Sequence, residues 1–261
     1  MLGRNILDWK LRAGLLGGLL VGVVLLAGPV AAAPADRDRE YADCLRAVDK
    51  DAAQAFETAN SWAERGGGYP ALHCGALALL KLGQYDQAAM RLEQLATDMA
   101  RGEGNLSAEA LAQAGQAWLL ARKPDRAYAD QTAALRLRPR DVDLLIDRAV
   151  TLAEAKNYWE AIDDLNHALE IDPRRADAYV LRASAYRYVD SLEMAGEDLT
   201  AALALEPRNL DALAERGIVR RLTNDPAGAR QDWLTVLRSA PDSPAAEIAR
   251  DNLAKLDVRI E

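Results

Sequence analysis

Two pairs of side chains in this sequence have the right atoms for chemistry. His73 and Cys74 are neighbours, and a thiol beside an imidazole is the raw material of nucleophilic catalysis. Successive residues on a helix point about 100° apart, a poor arrangement for such a pair. The chain holds no GxSxG, HExxH or phosphate-loop motif and no paired CxxC, and two His with two Cys leave little for a metal site. The expectation is a protein with no catalytic residue, no metal and no cofactor. Cys44 and Cys74, the only two thiols, stand 30 residues apart. In an exported chain an even pair is expected to form a disulfide; the alternative is two small reduced thiols packed in helices.

A charged series comes next. Arg148, Arg182 and Arg216 recur every 34 residues, and so do Asp130, Asp164, Asp198 and Asp232. Each Arg has one Asp 16 places later and another 18 places earlier. Opposite charges repeated in step predict a ladder of structural ion pairs rather than an anion site. Spacing alone does not choose between the two carboxylates. The ladder also predicts that Arg182→Ala costs more stability than Arg187→Ala, because only the first strands a half-buried carboxylate.

The elements that carry these residues follow from composition and pattern. The 261 residues are 50% hydrophobic and only 5% aromatic, with a net charge of −8. That hydrophobic content excludes general disorder. The richness in Ala, Leu and Arg favours helix over sheet. The acidic balance lacks the basic footprint of a nucleic-acid protein, so Trp62, Trp118, Trp159 and Trp233 are expected in helix seams rather than on a base-stacking platform. Residues 1–35 have a basic start (Arg4, Lys10, Arg12), an apolar run from Ala13 to Ala33, and small residues up to Ala35. That order predicts a secretory signal peptide cut after Ala35 and a periplasmic or otherwise exported body. The alternative is an uncleaved inner-membrane anchor with the body facing the periplasm, the basic end staying inside.

A 34-residue period organises the remainder. Pro139, Pro173, Pro207 and Pro241 keep it, as do Ala127, Ala161, Ala195 and Ala229. Leu145, Ala149, Tyr158, Ala161, Leu165, Ala168 and Pro173 form one unit; Tyr179, Ala183, Tyr186, Ala195, Leu199, Ala202 and Pro207 form the next. In these residues the chain resembles the tetratricopeptide repeat (TPR) family, whose unit is two antiparallel helices. The resemblance implies an all-α, right-handed solenoid with repeats at 69–102, 108–141, 142–175, 176–209 and 210–243. Gly83, Gln84 and Tyr85 mark the first, and residues 101–105 are expected to be a loop beyond the period. A solenoid needs capped ends, supplied here by a degenerate helical pair at 36–68 and a last helix at 244–261 begun by Ser243 and Pro244. Glu109, Asp143, Asp177 and Asp211 are expected at the positive starts of the first helices.

In that family the first helices line the concave surface, which binds peptides or partner domains. The resemblance places His73, Leu77, Leu80, Ala112, Gln116, Leu119, Ile146, Val150 and Ala153 there, followed by Val180, Ser184, Arg187, Ala214, Ile218 and Arg221. With neither Lys nor Asn in the set, no clamp for a chain-terminal carboxylate is expected. The surface reads as an apolar track suited to an amphipathic or extended apolar segment, with an acidic group near Arg187 and Arg221. The function implied is a non-catalytic protein-interaction scaffold of the bacterial envelope, with no nucleic acid and no membrane contact beyond the anchor alternative. The runner-up is an assembly subunit using its ends or edge, and an accessory factor in envelope or cytochrome maturation ranks below it.

Overall fold

The computed structural model describes residues 34–99 and 104–257. The expected signal peptide, save its last two residues, and most of the expected loop at 101–105 lie outside them. The described residues form thirteen helices and no strand: α1 (Pro34–Lys50), α2 (Ala52–Trp62), α3 (Gly68–Lys81), α4 (Tyr85–Met99), α5 (Gly104–Leu120), α6 (Pro124–Leu137), α7 (Val142–Glu154), α8 (Tyr158–Ile171), α9 (Ala176–Tyr188), α10 (Leu192–Leu205), α11 (Leu210–Leu222), α12 (Pro226–Ser239) and α13 (Pro244–Asp257). Each helix packs on the next. In addition α5 touches α7, α7 touches α9, α9 touches α11 and α11 touches α13, so the first helices from α5 onward build one inner wall.

The helices stop where the local chemistry requires. Pro139, Pro173, Pro207 and Pro241 each follow a second helix by two residues, and a Pro cannot continue the hydrogen-bond ladder. First helices end differently. Gly83, Arg122, Lys156, Asp190 and Asn224, each two residues past a first helix, hold φ between 60° and 72°. The residue after each donates back to a carbonyl five places upstream, as in Lys123 N to Trp118 O (2.9 Å) and Asn157 N to Leu152 O (2.8 Å). This wide closing bond satisfies a helix-end carbonyl and turns the chain into the second helix. Asp141, Asn209, Asp225 and Ser243 start helices by accepting from the backbone three residues on, at 2.9–3.2 Å. Between α2 and α3 the wide turn Ala63–Gly67 is closed by Gly66 (φ 89°).

Within each repeat, one position of the first helix meets one of the second, 16 residues later. Small is matched to large there: Ala149 with Leu165 and Ala183 with Leu199, all buried. Where the second residue is longer, the first is Gly. A Cβ at Gly115 would lie 2.7 Å from Gln131 Cγ, and one at Gly217 would lie 2.3 Å from Trp233 Nε1. Backbones therefore approach closely, and the larger partner fills the seam.

Three expectations need correction. Helix α5 begins at Gly104, four residues before the expected 108, so Glu109 is not in its first turn. Glu109 instead takes an ion pair from Arg138 (3.1 Å), while Asp143, Asp177 and Asp211 do sit in first turns. Trp62, Trp118 and Trp233 are buried, but Trp159 is 59% exposed. Its place on the first turn of α8 points outward.

Candidate binding groove

The ladder has one arrangement. Arg148, Arg182 and Arg216 each grip the carboxylate 16 places later with Nε and Nη2. The two bonds measure 2.7 and 2.6 Å to Asp164, 2.8 and 2.7 Å to Asp198, and 2.9 and 2.7 Å to Asp232. These forks join the two helices of one repeat. Two of the Arg also reach the preceding repeat, from Nη1 to Thr132 Oγ1 (3.2 Å) for Arg148 and to Asn166 Oδ1 (2.7 Å) for Arg182. Asp232 receives a further bond from Arg220 Nη1 (2.7 Å).

Asp130 departs from the series. The ladder position that should face it, 114, is a fully buried alanine. Its neighbour is Glu93, which accepts from Trp118 Nε1 at 2.6 Å. Asp130 Oδ2 is buried with no hydrogen-bond partner, and two ionised carboxylates side by side would repel, so a proton on Asp130 is favoured. Burial first, then the Glu93 charge, push the Asp130 carboxyl up to about 7.

Cys44 of α1 and Cys74 of α3 form a disulfide with Cα atoms 6.3 Å apart. Beside it His73 is only 6% exposed. Tyr41 Oη donates to its Nδ1 (2.6 Å), its Nε2–H donates to Gln113 Oε1 (2.6 Å), and Tyr69 stacks on the ring at 5.4 Å. Burial lowers the His73 pKa against the opposing pull of Gln113 and Glu109, favouring the neutral ring that these partners fit. His73 thus closes α1, α3 and α5 together rather than offering itself to a partner.

Along the inner wall Ile146, Ala112 and Ala214 are buried in the core. Leu77, Leu80, Leu119, Val150, Ala153, Val180, Ser184 and Ile218 are half-buried, and Gln116 is exposed. Gln116 Nε2 donates to Asp147 Oδ2 at 2.9 Å. Burial, and the nearby Asp143 and Asp141, raise the Asp147 pKa although Gln116 and Arg175 oppose them. Arg187 is not the free cation expected of the track. It is paired with Glu215 of the next first helix (2.5 Å), both side chains largely covered. Arg187→Ala therefore strands a carboxylate as surely as Arg182→Ala does, and the expected contrast between them disappears. Arg221 is half-buried, with its Nε lacking a partner.

The wall opens in two places. A cleft of about 370 Å³ lies between α7, α8 and α9, floored by Ala149, Val150, Ala161, Leu165 and Leu181 and rimmed by Glu154, Lys156 and Tyr188. A second, of about 470 Å³, is lined by Tyr85, Leu119, Leu120, Arg122 and Pro124 and shares Glu154 with the first. Tyr158 and Tyr188 stack at 4.6 Å and 2° across the edge of the first cleft. Sequence reasoning missed Glu215, Glu93, Tyr158 and Tyr188 as partners. The one signal for the cleft was Ala153, the small member of the series Leu119, Ala153, Arg187 and Arg221. Among the described residues no group of three His, Cys, Asp or Glu is placed to hold a metal ion.

The Tetratricopeptide repeat family profile matches residues 114–186. Over that stretch the helical pairs are similar to tetratricopeptide repeats, and the described residues as a whole share the solenoid fold of such proteins. Its fold is similar to MamA 41-end from Desulfovibrio magneticus RS-1, with 26% identity, a TM-score of 0.55, and coverage of 64% of this chain and 93% of that one. It is similar to a second MamA structure at 15% identity and TM-score 0.56, covering 75% of this chain and 99% of that one. YrrB, described as a TPR protein with an unusual peptide-binding site, matches at 17% identity and TM-score 0.54, covering 74% and 96%. No curated protein matches in sequence.

Proposed function

We propose that this protein is a non-catalytic scaffold that binds a peptide or a segment of a partner protein along the inner wall of the solenoid. The observation that carries the reading is the wall itself: Val150, Ala153, Val180, Ser184 and Ile218 stay half-buried in a continuous row that opens into two joined clefts. Half-exposed apolar side chains in a concave row are the common substrate of helix and extended-segment recognition. The peptide site described for YrrB supports the same use of the fold.

We place the scaffold in the bacterial envelope. The basic, apolar and small-residue order of residues 1–35 supports export, and a disulfide between Cys44 and Cys74 suits an oxidising compartment. Among the described residues no helix is long and apolar enough to cross a membrane. Membrane attachment through the N-terminal segment is the alternative.

The test is the double variant Val150→Glu with Ile218→Glu, kept only if circular dichroism shows the native helix content. Partners recovered by affinity purification and identified by mass spectrometry should be lost. An unchanged partner set would remove the groove reading and leave the assembly-subunit reading, in which the ends and outer edge make the contacts.

A further inference from the structure

We propose that the cleft between α7, α8 and α9 is an anchor pocket that takes one large apolar side chain of a partner segment, with Lys156 meeting an Asp or Glu side chain next to it in the partner. This inference rests on the groove reading above and assigns the groove its partner chemistry.

Position 153 belongs to a register occupied elsewhere by Leu119, Arg187 and Arg221; here it is alanine, and it lines the cleft beside Val150 and Leu181. The floor residues Ala149, Val150, Ala161, Leu165 and Leu181 are apolar and buried or half-buried, with the Ser184 hydroxyl beside them, so a hydrocarbon or ring meets mostly apolar surface. The wall is held from behind. Tyr188 is 57% exposed yet stacks on Tyr158, and Arg187 lies 4.3 Å over its ring while anchored in turn by Glu215. A wall fixed on two sides keeps the pocket open before a partner arrives, which reduces the ordering cost of binding.

Charge then selects the neighbour of the anchor. At the rim, Glu154 lies 3.9 Å from Arg122. Lys156, at a left-handed turn, is exposed, lines the cleft and makes no ion pair among the described residues. Lys156 and Arg122 against Glu154 leave the two clefts one positive charge in excess, which favours an apolar side chain with a carboxylate adjacent to it. The carboxylate belongs to a side chain and not to a chain end, because the second cleft continues the track past Glu154 and leaves room for the partner's backbone on both sides.

The experiment uses the full chain with alanine methyls labelled for NMR and four synthetic peptides: Ac-GSWDSG-NH2, its Asp→Asn and Trp→Ser versions, and Ac-GSW with a free carboxyl terminus. The first peptide should shift the Ala153 and Ala185 methyls. Replacing its Trp should abolish the shifts, and replacing its Asp should weaken binding about 3- to 10-fold. That preference for Asp should vanish in Lys156→Gln, a turn substitution outside the packed core. Ala153→Leu should abolish binding of the three peptides that contain Trp. Absence of methyl shifts at millimolar peptide, or equal affinity for the Asp and Asn peptides, overturns the proposal. Tighter binding of the free-carboxylate peptide overturns its internal-segment form. If Val150→Glu with Ile218→Glu loses the cellular partners while a folded Ala153→Leu keeps them, the anchor pocket falls and the groove stands. If both keep them, both readings fall.

Discussion

Arg187 of α9 and Glu215 of α11 are joined across the seam between the fourth and fifth repeats, with 16% and 12% of their side chains exposed. Their sequence separation of 28 belongs to no register of the repeat, and position 181, one repeat before Glu215, is a leucine. The pair is thus a bond particular to one seam, whereas the Arg–Asp forks sit inside repeats. Removing one member leaves a largely covered charge without its counterpart, at a cost of about 2–3 kcal/mol given the residual exposure. Arg187→Ala and Arg182→Ala should destabilise by similar amounts in urea titrations. Arg187→Ala with Glu215→Ala should be milder than Arg187→Ala alone. A single Arg187→Ala within about 0.5 kcal/mol of the parent would show the pair to be a solvated surface contact.

Gly217 and Trp233 are matched by volume, since a Cβ on Gly217 would run into the indole at 2.3 Å. Trp233 is fully buried and donates from Nε1 to Ala214 O at 3.0 Å, so it has little freedom to move aside. Gly217→Ala should cost about 1–3 kcal/mol by overpacking. Adding Trp233→Leu recreates the Ala–Leu match of the third and fourth repeats and should recover part of that loss in thermal denaturation. A double variant less stable than both singles would contradict this account.

The left-handed turns invite a different substitution. Arg122 and Asn224 hold φ of 60° and 65° at equivalent turns. Side chains other than Asn, Asp and Gly find this region costly, by about 1–2 kcal/mol. Arg122→Gly should therefore stabilise by about 0.5–1 kcal/mol after glycine's greater unfolded-state freedom is subtracted. Its exposed contact to Glu154 at 3.9 Å contributes little. Asn224→Gly should be near neutral. Melting temperatures that rank the two in the opposite order would count against the turn geometry.

The Asp130 carboxyl, pushed up to about 7 by burial and Glu93, makes the fold sensitive to pH in a stated direction. The folded chain holds this proton over a range in which the unfolded chain, near pKa 3.9, has already lost it. The stabilisation is full below about pH 4 and is lost as pH rises through 7. Asp130→Asn keeps the shape and cannot ionise. Its melting temperature should match the parent's at pH 4 and exceed it at pH 8. The parent-minus-variant difference should fall steadily between, and a flat difference would show that Asp130 is already ionised at low pH.

Much of the fold was legible because one period sets helix length, turn position and packing partner together. Pro173 and Ala161 place the ends and contacts of α8, and the same offsets work for α10 and α12. The register fails where the units stop being copies. Arg91 stands where Asp130, Asp164 and Asp198 would lead one to expect an acid, and it bonds Asn60 Oδ1 at 3.0 Å instead. Ala114 removes the Arg that Asp130 would need. The groove was legible as a set of inward positions but not in its charge. Whether Arg187 is free depends on Glu215, and whether Ala153 leaves a hole depends on Tyr158 and Tyr188; no repeat offset connects either group.

The bond between Cys44 and Cys74 closes a covalent ring around α2. A linear stack in which each unit leans only on its neighbours can fray from either terminus. Here one end of the described stack is tied back on itself, since α1 cannot leave without α3, while α13 is held without a covalent link, by packing, a serine cap and the bond from Arg250 Nη1 to Pro241 O (2.8 Å). Loosening therefore has a direction. It begins at α13 and travels toward the ring, so amide exchange should be graded along the chain, fastest in α13 and slowest in the units next to α3. Reduction of the disulfide makes the molecule a two-ended zipper and should flatten that gradient.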